Sequence, residues 1–190
     1  MDDQNKEVIL LDADVIIHFL KGNILYLPKI YPDQLSILDV VKKELCSNQR
    51  LRTPVDNFIS FFKINIIPFP TEVDIIKEYA SLKKMFGEGE SACMALARFK
   101  KFCIASSNLR DIENYCLTNG VKYLTTMDIL VEGLNKNVLT ETECDTFISE
   151  VLKKGSKLPD RTIKEYIKNI KTKINMTSSD ISEKDTDTLS

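Results

Sequence analysis

The chain has 190 residues, of which 43% are hydrophobic and 28% are charged, and its formal net charge is -2. These values are typical of a single globular domain and exclude disordered and fibrous classes. The first seven residues are polar and acidic, unlike a secretory signal, and no apolar run approaches the roughly 20 residues of a membrane helix. We therefore predict a cytoplasmic protein without a membrane association.

Cysteine and histidine usage limits the kinds of metal site that the chain can form. The five cysteines are scattered without a C-x-x-C pair, and His18 is the one histidine. These residues supply neither a disulfide framework nor the paired ligands of a structural zinc site. Any metal ion must therefore be held mainly by oxygen ligands.

The C-terminal part of the chain separates its charges. Residues 153–173 carry eight basic side chains, and residues 174–190 carry four acidic side chains beside one lysine. The basic segment can contact phosphates, although a solvated amphipathic helix explains most of its lysines better. Residues 175–190 are predicted to be a disordered acidic tail.

Hydrophobic periodicity predicts strands that alternate with helices, beginning with a short apolar strand of the kind that is buried on both faces. This alternation favours an α/β fold around a central parallel sheet. The predicted strands are 8–11, 64–67, 102–105 and 121–124, and the predicted helices are 14–20, 34–46, 71–84, 91–99, 109–117, 127–134, 140–152 and a lysine-rich helix from Pro159.

The functional groups of a parallel sheet gather outside the carboxyl ends of its strands. Asp12, Ser106 and Thr125 each follow a predicted strand directly, so this edge is the candidate site. Asp12 and Asp14 also have a structural explanation, because an aspartate can end a strand and cap the next helix.

Two further acids have structural explanations of their own. Glu44 lies among lysines on a predicted helix and fits a solvated face. Glu90 heads an alanine-rich helix, where the helix dipole favours an acidic residue. The small residues that follow Glu90 indicate a helix packed closely against the sheet.

Taken together, these segments resemble a PIN domain, in particular the prokaryotic branch that includes the VapC-type toxin ribonucleases. The resemblance lies in 8–17, in Glu44, in 87–97 and in 103–107. It implies a three-layer α/β/α sandwich with a central parallel sheet. The implied organisation is a PIN-like nuclease domain over 1–135, a C-terminal helical extension over 136–174 and the acidic tail over 175–190.

The resemblance implies that Asp12, Glu44 and Glu90 are catalytic residues that together hold Mg²⁺ or Mn²⁺. Clustered carboxylates repel one another, and a hard divalent cation offsets this repulsion while it retains water molecules for a phosphate substrate. Such an ion can activate water and neutralise charge as a phosphodiester is cut. Asp14 is expected to support the site or to cap the helix.

The chain departs from the family at the fourth acidic position, where Ser106, Ser107 and Asn108 stand in place of the usual aspartate. Three outcomes stay open. Asp111 supplies a carboxylate from one helical turn further on, Asn108 holds a bound water molecule, or the site binds metal weakly. Asp111 therefore counts as a candidate catalytic residue, and Ser106 and Asn108 count as supporting residues.

The function that the resemblance implies is a metal-dependent endoribonuclease that cleaves single-stranded RNA, as a toxin of a toxin-antitoxin or defence system. It further implies an antitoxin protein as a partner and a homodimer as the assembly. The residues themselves indicate no dimer surface.

Two alternatives compete with the ribonuclease. One is a degenerate PIN-like module that binds RNA or a partner without catalysis, because of the altered fourth position. The other is a haloacid-dehalogenase-like phosphatase, in which Asp12 is the nucleophile and Asp14 a general acid. The phosphatase motif fits the first strand, but it leaves Glu44 and Glu90 unexplained.

Overall fold

The computed structural model describes residues 7–24 and 26–172. The predicted acidic tail over 175–190 lies outside the described residues. None of the helices within the two described ranges has the length and apolar character needed to cross a lipid bilayer.

Strands and helices alternate along most of the chain. The strands are β1 (Ile9–Leu11), β2 (Leu35–Leu38), β3 (Asn65–Ile67), β4 (Cys103–Ala105) and β5 (Tyr123–Leu124). The helices are α1 (Ala13–Gly22), α2 (Leu27–Ile30), α3 (Asp39–Ser47), α4 (Gln49–Phe61), α5 (Val73–Leu82), α6 (Glu88–Lys100), α7 (Leu109–Asn119), α8 (Thr126–Asn135) and α9 (Glu141–Lys153). A last helix, α10, covers 163–172 of the described chain.

The five strands form one parallel sheet in the order β3-β2-β1-β4-β5, with helices around it. The predicted α/β/α sandwich is therefore confirmed. β1 is the middle strand, and all three of its residues are buried. Ile9 pairs in register with Leu35 of β2 and with Cys103 of β4, which brings the carboxyl ends of these three strands side by side.

The segment 34–46 does not form the single helix that its periodicity predicts. Residues 35–38 form β2, and α3 begins only at Asp39. A short apolar run fits a buried strand and a buried helix equally well, and here the hydrogen bonds to β1 and β3 decide for the strand. Glu44 lies near the C-terminal end of α3, as predicted.

Three other helices differ from the prediction. α2 and α4 are not among the predicted elements, and α4 contains Pro54, a residue that argues against a helix in a sequence. α10 begins at residue 163 rather than at Pro159. Thr162 caps this helix by accepting a hydrogen bond from Glu165 N at 3.2 Å, and the backbone N–H of Ile163 donates to Asp145 Oδ1 of α9 at 2.8 Å.

Helix α9 packs closely against α1. Gly22, the last residue of α1, lies directly against the ring of Phe147, and a Cβ at this position would overlap that ring. Phe147 also contacts Phe19 of α1, with ring centroids 5.8 Å apart. The boundary at residue 135 between a nuclease domain and a helical extension stays a prediction.

We expect Gly22→Ala to lower the free energy of unfolding by about 1–3 kcal/mol, because the added methyl must displace the buried Phe147 ring. Urea denaturation measures the change, and Ser149→Ala on the exposed face of α9 is the control. Equal stabilities for the two variants would show that α1 and α9 do not pack as described.

Candidate active site

Asp12 lies at the carboxyl end of the middle strand and is 6% exposed. Its backbone N–H donates to the carbonyl of Ala105 at 2.9 Å, which extends the pairing of β1 and β4 by one residue. Its Oδ1 accepts a hydrogen bond from Ala13 N at 2.7 Å, because Asp12 is also the N-cap of α1. Strand pairing and helix capping therefore hold this carboxylate in one orientation.

Glu90 and Glu44 reach the same edge of the sheet from two helices. Glu90 lies in the first turn of α6 and is half-buried, whereas Glu44 on α3 is exposed. Glu44 Oε2 accepts a hydrogen bond from Gly89 N at 3.1 Å. A Cβ at Gly89 would lie 2.5 Å from that oxygen, so only glycine allows the carboxylate to approach α6 this closely.

Asn108 occupies the centre of the altered fourth position. Its Nδ2 donates to Glu90 Oε1 at 3.1 Å and to Asp111 Oδ2 at 2.7 Å. Asp111 therefore reaches the rim of the site through Asn108. Where an aspartate would add a negative charge to the cluster, the side-chain amide of Asn108 donates two hydrogen bonds.

Asp14 faces the loop between β4 and α7. Its Oδ2 accepts hydrogen bonds from Ser107 N at 2.8 Å and from Ser106 Oγ at 3.4 Å. Its Oδ1 is buried and has no hydrogen-bond partner among the described residues. Asp14 thus supports the loop that carries Asn108. Ser106, which is fully buried, lies in this loop and donates a hydrogen bond to Asp14.

Burial and mutual repulsion raise the pKa values of the carboxylates. The pKa of Asp12 rises from 3.8 to about 7, first because of burial and then because of the nearby charge of Asp14. The pKa of Glu90 rises from 4.5 to about 7, again through burial and then through Asp12 and Asp111. Burial also raises the pKa of Asp14.

No basic side chain balances this charge within the described part of the chain. The ion pairs there involve other acids, such as Glu78 with Arg98 and Glu72 with Lys100, which join α5 to α6. Arg98 thus binds a residue of α5, and Lys100 binds the N-cap residue of that helix. A bound cation would relieve the repulsion among the carboxylates.

The donor set fits a hard divalent cation. It consists of carboxylate oxygens, and Asp14 Oδ1 is a buried oxygen with no hydrogen bond. Over residues 7–24 and 26–172, however, no three acidic, histidine or cysteine side chains are arranged to hold a metal ion directly. Mg²⁺ suits this arrangement, since it is commonly held by one or two carboxylates and keeps several water molecules.

Sequence reasoning missed a buried chain of hydrogen bonds beneath the fourth position. His18 Nδ1 lies 2.8 Å from Thr126 Oγ1, which lies 2.8 Å from Ser107 Oγ. Burial lowers the pKa of His18 to about 4, so the ring is neutral near pH 7. The one available signal was the spacing of Asp14 and His18, which places both on one face of α1.

A family model described as a PIN domain, DUF3368, matches residues 8–172. The chain belongs to the PIN-domain family. The predicted resemblance to PIN domains is therefore confirmed. Membership of this family leaves the phosphatase alternative without support.

Two solved complexes contain chains with the fold of this PIN domain. A chain of the DNA-bound VapBC from Salmonella typhimurium matches with a TM-score of 0.52 and 14% identity, over 63% of this chain and 98% of that chain. A chain of VapBC2 from Rickettsia felis, bound to a DNA fragment from their promoter, matches with a TM-score of 0.50 and 13% identity, over 62% and 98%. At these identities the likeness is one of fold. A comparison with curated proteins finds no match.

The raised pKa of Asp12 predicts how the stability of the metal-free protein depends on pH. A carboxyl whose folded-state pKa is raised stabilises the fold at low pH, and that contribution is lost as the pH rises from 3.8 to about 7. Asp12→Asn removes this loss. We expect the free energy of unfolding of the variant, relative to that of the wild type, to increase by about 1–3 kcal/mol as the pH rises from 5 to 8.

The measurement is urea denaturation of both proteins in chelator at the two pH values. The exposed Glu141, whose carboxylate pairs with Lys164, supplies the control variant Glu141→Gln. A difference between Asp12→Asn and wild type that does not change with pH would contradict the prediction.

Proposed function

We propose that this PIN domain is a divalent-metal-dependent endoribonuclease that cleaves single-stranded RNA. The observation that carries the proposal is that Asp12 is buried, Glu90 is half-buried, and their charges repel one another without a basic partner among the described residues. Buried charge without a partner is costly, so such a pair suggests a bound cation. PIN domains are generally nucleases. RNA as the substrate follows from the resemblance to the VapC-type branch.

Asp12 and Glu90 would hold Mg²⁺ or Mn²⁺ directly, and Glu44 would contact the water molecules of the ion, with Asp111 at the rim. The bound ion would supply charge neutralisation and a water molecule of lowered pKa for hydrolysis of the phosphodiester. The hydrogen bond from Gly89 N keeps Glu44 on the α6 side of the cleft. Asn108 orients Glu90 through its amide, and Asp14 holds the loop that carries Asn108.

A second candidate function is a PIN-like module that binds RNA or a partner protein without cleaving RNA. Two observations favour it. Asn108 stands where the family has an acid, and no three acidic side chains of the described chain converge on one point. The two candidates differ in whether divalent ions are needed.

We further propose an antitoxin protein as a partner. The support for this proposal is that the two structural neighbours named above are chains of VapBC complexes bound to DNA. The homodimer stays a prediction.

Asp12→Asn and Glu90→Gln should each reduce Mn²⁺-dependent cleavage of single-stranded RNA by at least about a hundredfold, since each removes a carboxylate that would hold the ion. Cleavage of a labelled oligoribonucleotide is the measurement, with Mg²⁺ and Mn²⁺ compared. Glu141→Gln is the matched control, because its exposed carboxylate lies outside the cluster.

The wild type decides between the two candidates. If it cleaves no RNA with any divalent ion, the nuclease proposal fails. RNA affinity that survives in chelator would then support the binding module.

Gly89→Ala should reduce cleavage by about ten- to a hundredfold, because its methyl would lie 2.5 Å from Glu44 Oε2 and must displace that carboxylate. Gly87→Ala is a close control, since no atom lies within 4 Å of a Cβ at Gly87. Circular dichroism establishes that both variants fold. Equal activities of the two variants would mean that the position of Glu44 does not matter for cleavage.

A further inference from the structure

A groove of about 700 Å³ runs beside the candidate active site, between α10 and the carboxyl ends of β4 and β5. Its volume lies in the range of small-molecule sites. Ser107 and Thr125 line the end of the groove that follows the strands. Tyr166, Asn169 and Ile170 line the wall formed by α10.

Helix α10 is held in place by specific hydrogen bonds. The Tyr166 hydroxyl donates to Asp128 Oδ1 at 2.7 Å and lies 3.1 Å from Thr125 Oγ1. At the start of α10, the N–H of Ile163 donates to Asp145 of α9. Hydrogen bonds therefore hold α10, which forms one wall of the groove, against α8 and α9.

One residue contacts both the groove and the carboxylate cluster. Ser107 lines the groove, and its backbone N–H donates to Asp14 Oδ2 at 2.8 Å. Leu109, which also lines the groove, follows Asn108 at the start of α7. A polymer strand with one phosphate at Asp12 and Glu90 would thus meet the groove with its next unit.

The lining of the groove combines apolar groups with one basic and one acidic side chain, Lys157 and Asp160, and Asp160 Oδ1 accepts a hydrogen bond from Asn169 Nδ2 at 2.7 Å. Leu109, Met127, Leu158 and Ile170 supply apolar surface, to which the ring of Tyr166 adds an aromatic face. The exposed side chain of Lys157 lies on the rim. An apolar slot with an aromatic wall suits a stacked base, and a rim amine suits a neighbouring phosphate.

We propose that this groove binds one nucleoside of the RNA strand, next to the phosphate that is cleaved. The inference rests on the proposed function for its substrate class. It assigns to α10 a part in substrate selection, since four residues of that helix line the groove. The contact of Ser107 with both the groove and Asp14 favours a segment of the nuclease substrate as the occupant.

A binding experiment that is independent of catalysis tests the groove first. The four ribonucleosides and a short oligoribonucleotide are titrated separately into the full-length wild-type protein in chelator, and the side-chain methyl resonances are followed by NMR. We expect the methyl groups of Met127 and Ile170 to shift, with Met127→Leu and Ile170→Val used for assignment. The exposed Met85, which does not line the groove, should not shift.

No shift of either groove methyl with any of these ligands would overturn the inference, including the case in which another segment of the chain fills the groove. Shifts without any nuclease activity would support the groove and reject the proposed catalysis. The two failures are therefore distinguishable.

A kinetic experiment tests the role of the groove in cleavage. Ile170→Trp fills the groove, and Leu117→Trp places the same side chain on an exposed part of α7 that does not line it. We expect Ile170→Trp to lower kcat/KM for an oligoribonucleotide by about tenfold. Hydrolysis of bis(p-nitrophenyl) phosphate, which carries no nucleoside, should stay unchanged in both variants. Equal loss on both substrates, or no loss on either, would overturn the inference.

Discussion

The repulsion between Asp12, which is buried at the carboxyl end of the middle strand, and the half-buried Glu90 of α6 is the constraint on which the site depends. Two carboxylates in this position destabilise the metal-free fold at neutral pH. A bound cation would offset this repulsion. The rest of the edge is arranged around this pair, with hydrogen-bond donors where the described chain has no basic side chain.

Those donors are mostly backbone N–H groups and one side-chain amide. Gly89 N binds Glu44, Ser107 N binds Asp14, and the amide of Asn108 joins Glu90 to the rim. Donors of this kind hold carboxylates without neutralising them. The negative potential of the cleft is therefore preserved for a cation, which a lysine or arginine at the same places would exclude.

The same edge also connects the site to the C-terminal part of the chain. Thr125 caps α8 after β5, and its capping partner Asp128 receives the hydroxyl of Tyr166 from α10. The helix is thus held against the strand ends rather than packed on the outside of the sandwich. Because the groove beside the site is formed by this contact, the C-terminal helix contributes to the proposed substrate surface.

The sequence by itself determined the strand that presents Asp12, the close-packed helix that begins near Glu90 and the alternation that makes the sheet parallel. These follow from local patterns, since short buried strands and alanine-rich helices differ in residue spacing. Only the tertiary structure decided that residues 35–38 form a strand, because pairing with two neighbours overrides an ambiguous apolar run. The tertiary structure also decided which acidic side chains lie near Asp12. The contacts of Glu44 and Asn108 with α6 join residues far apart in the chain, and they depend on how helices pack against the sheet.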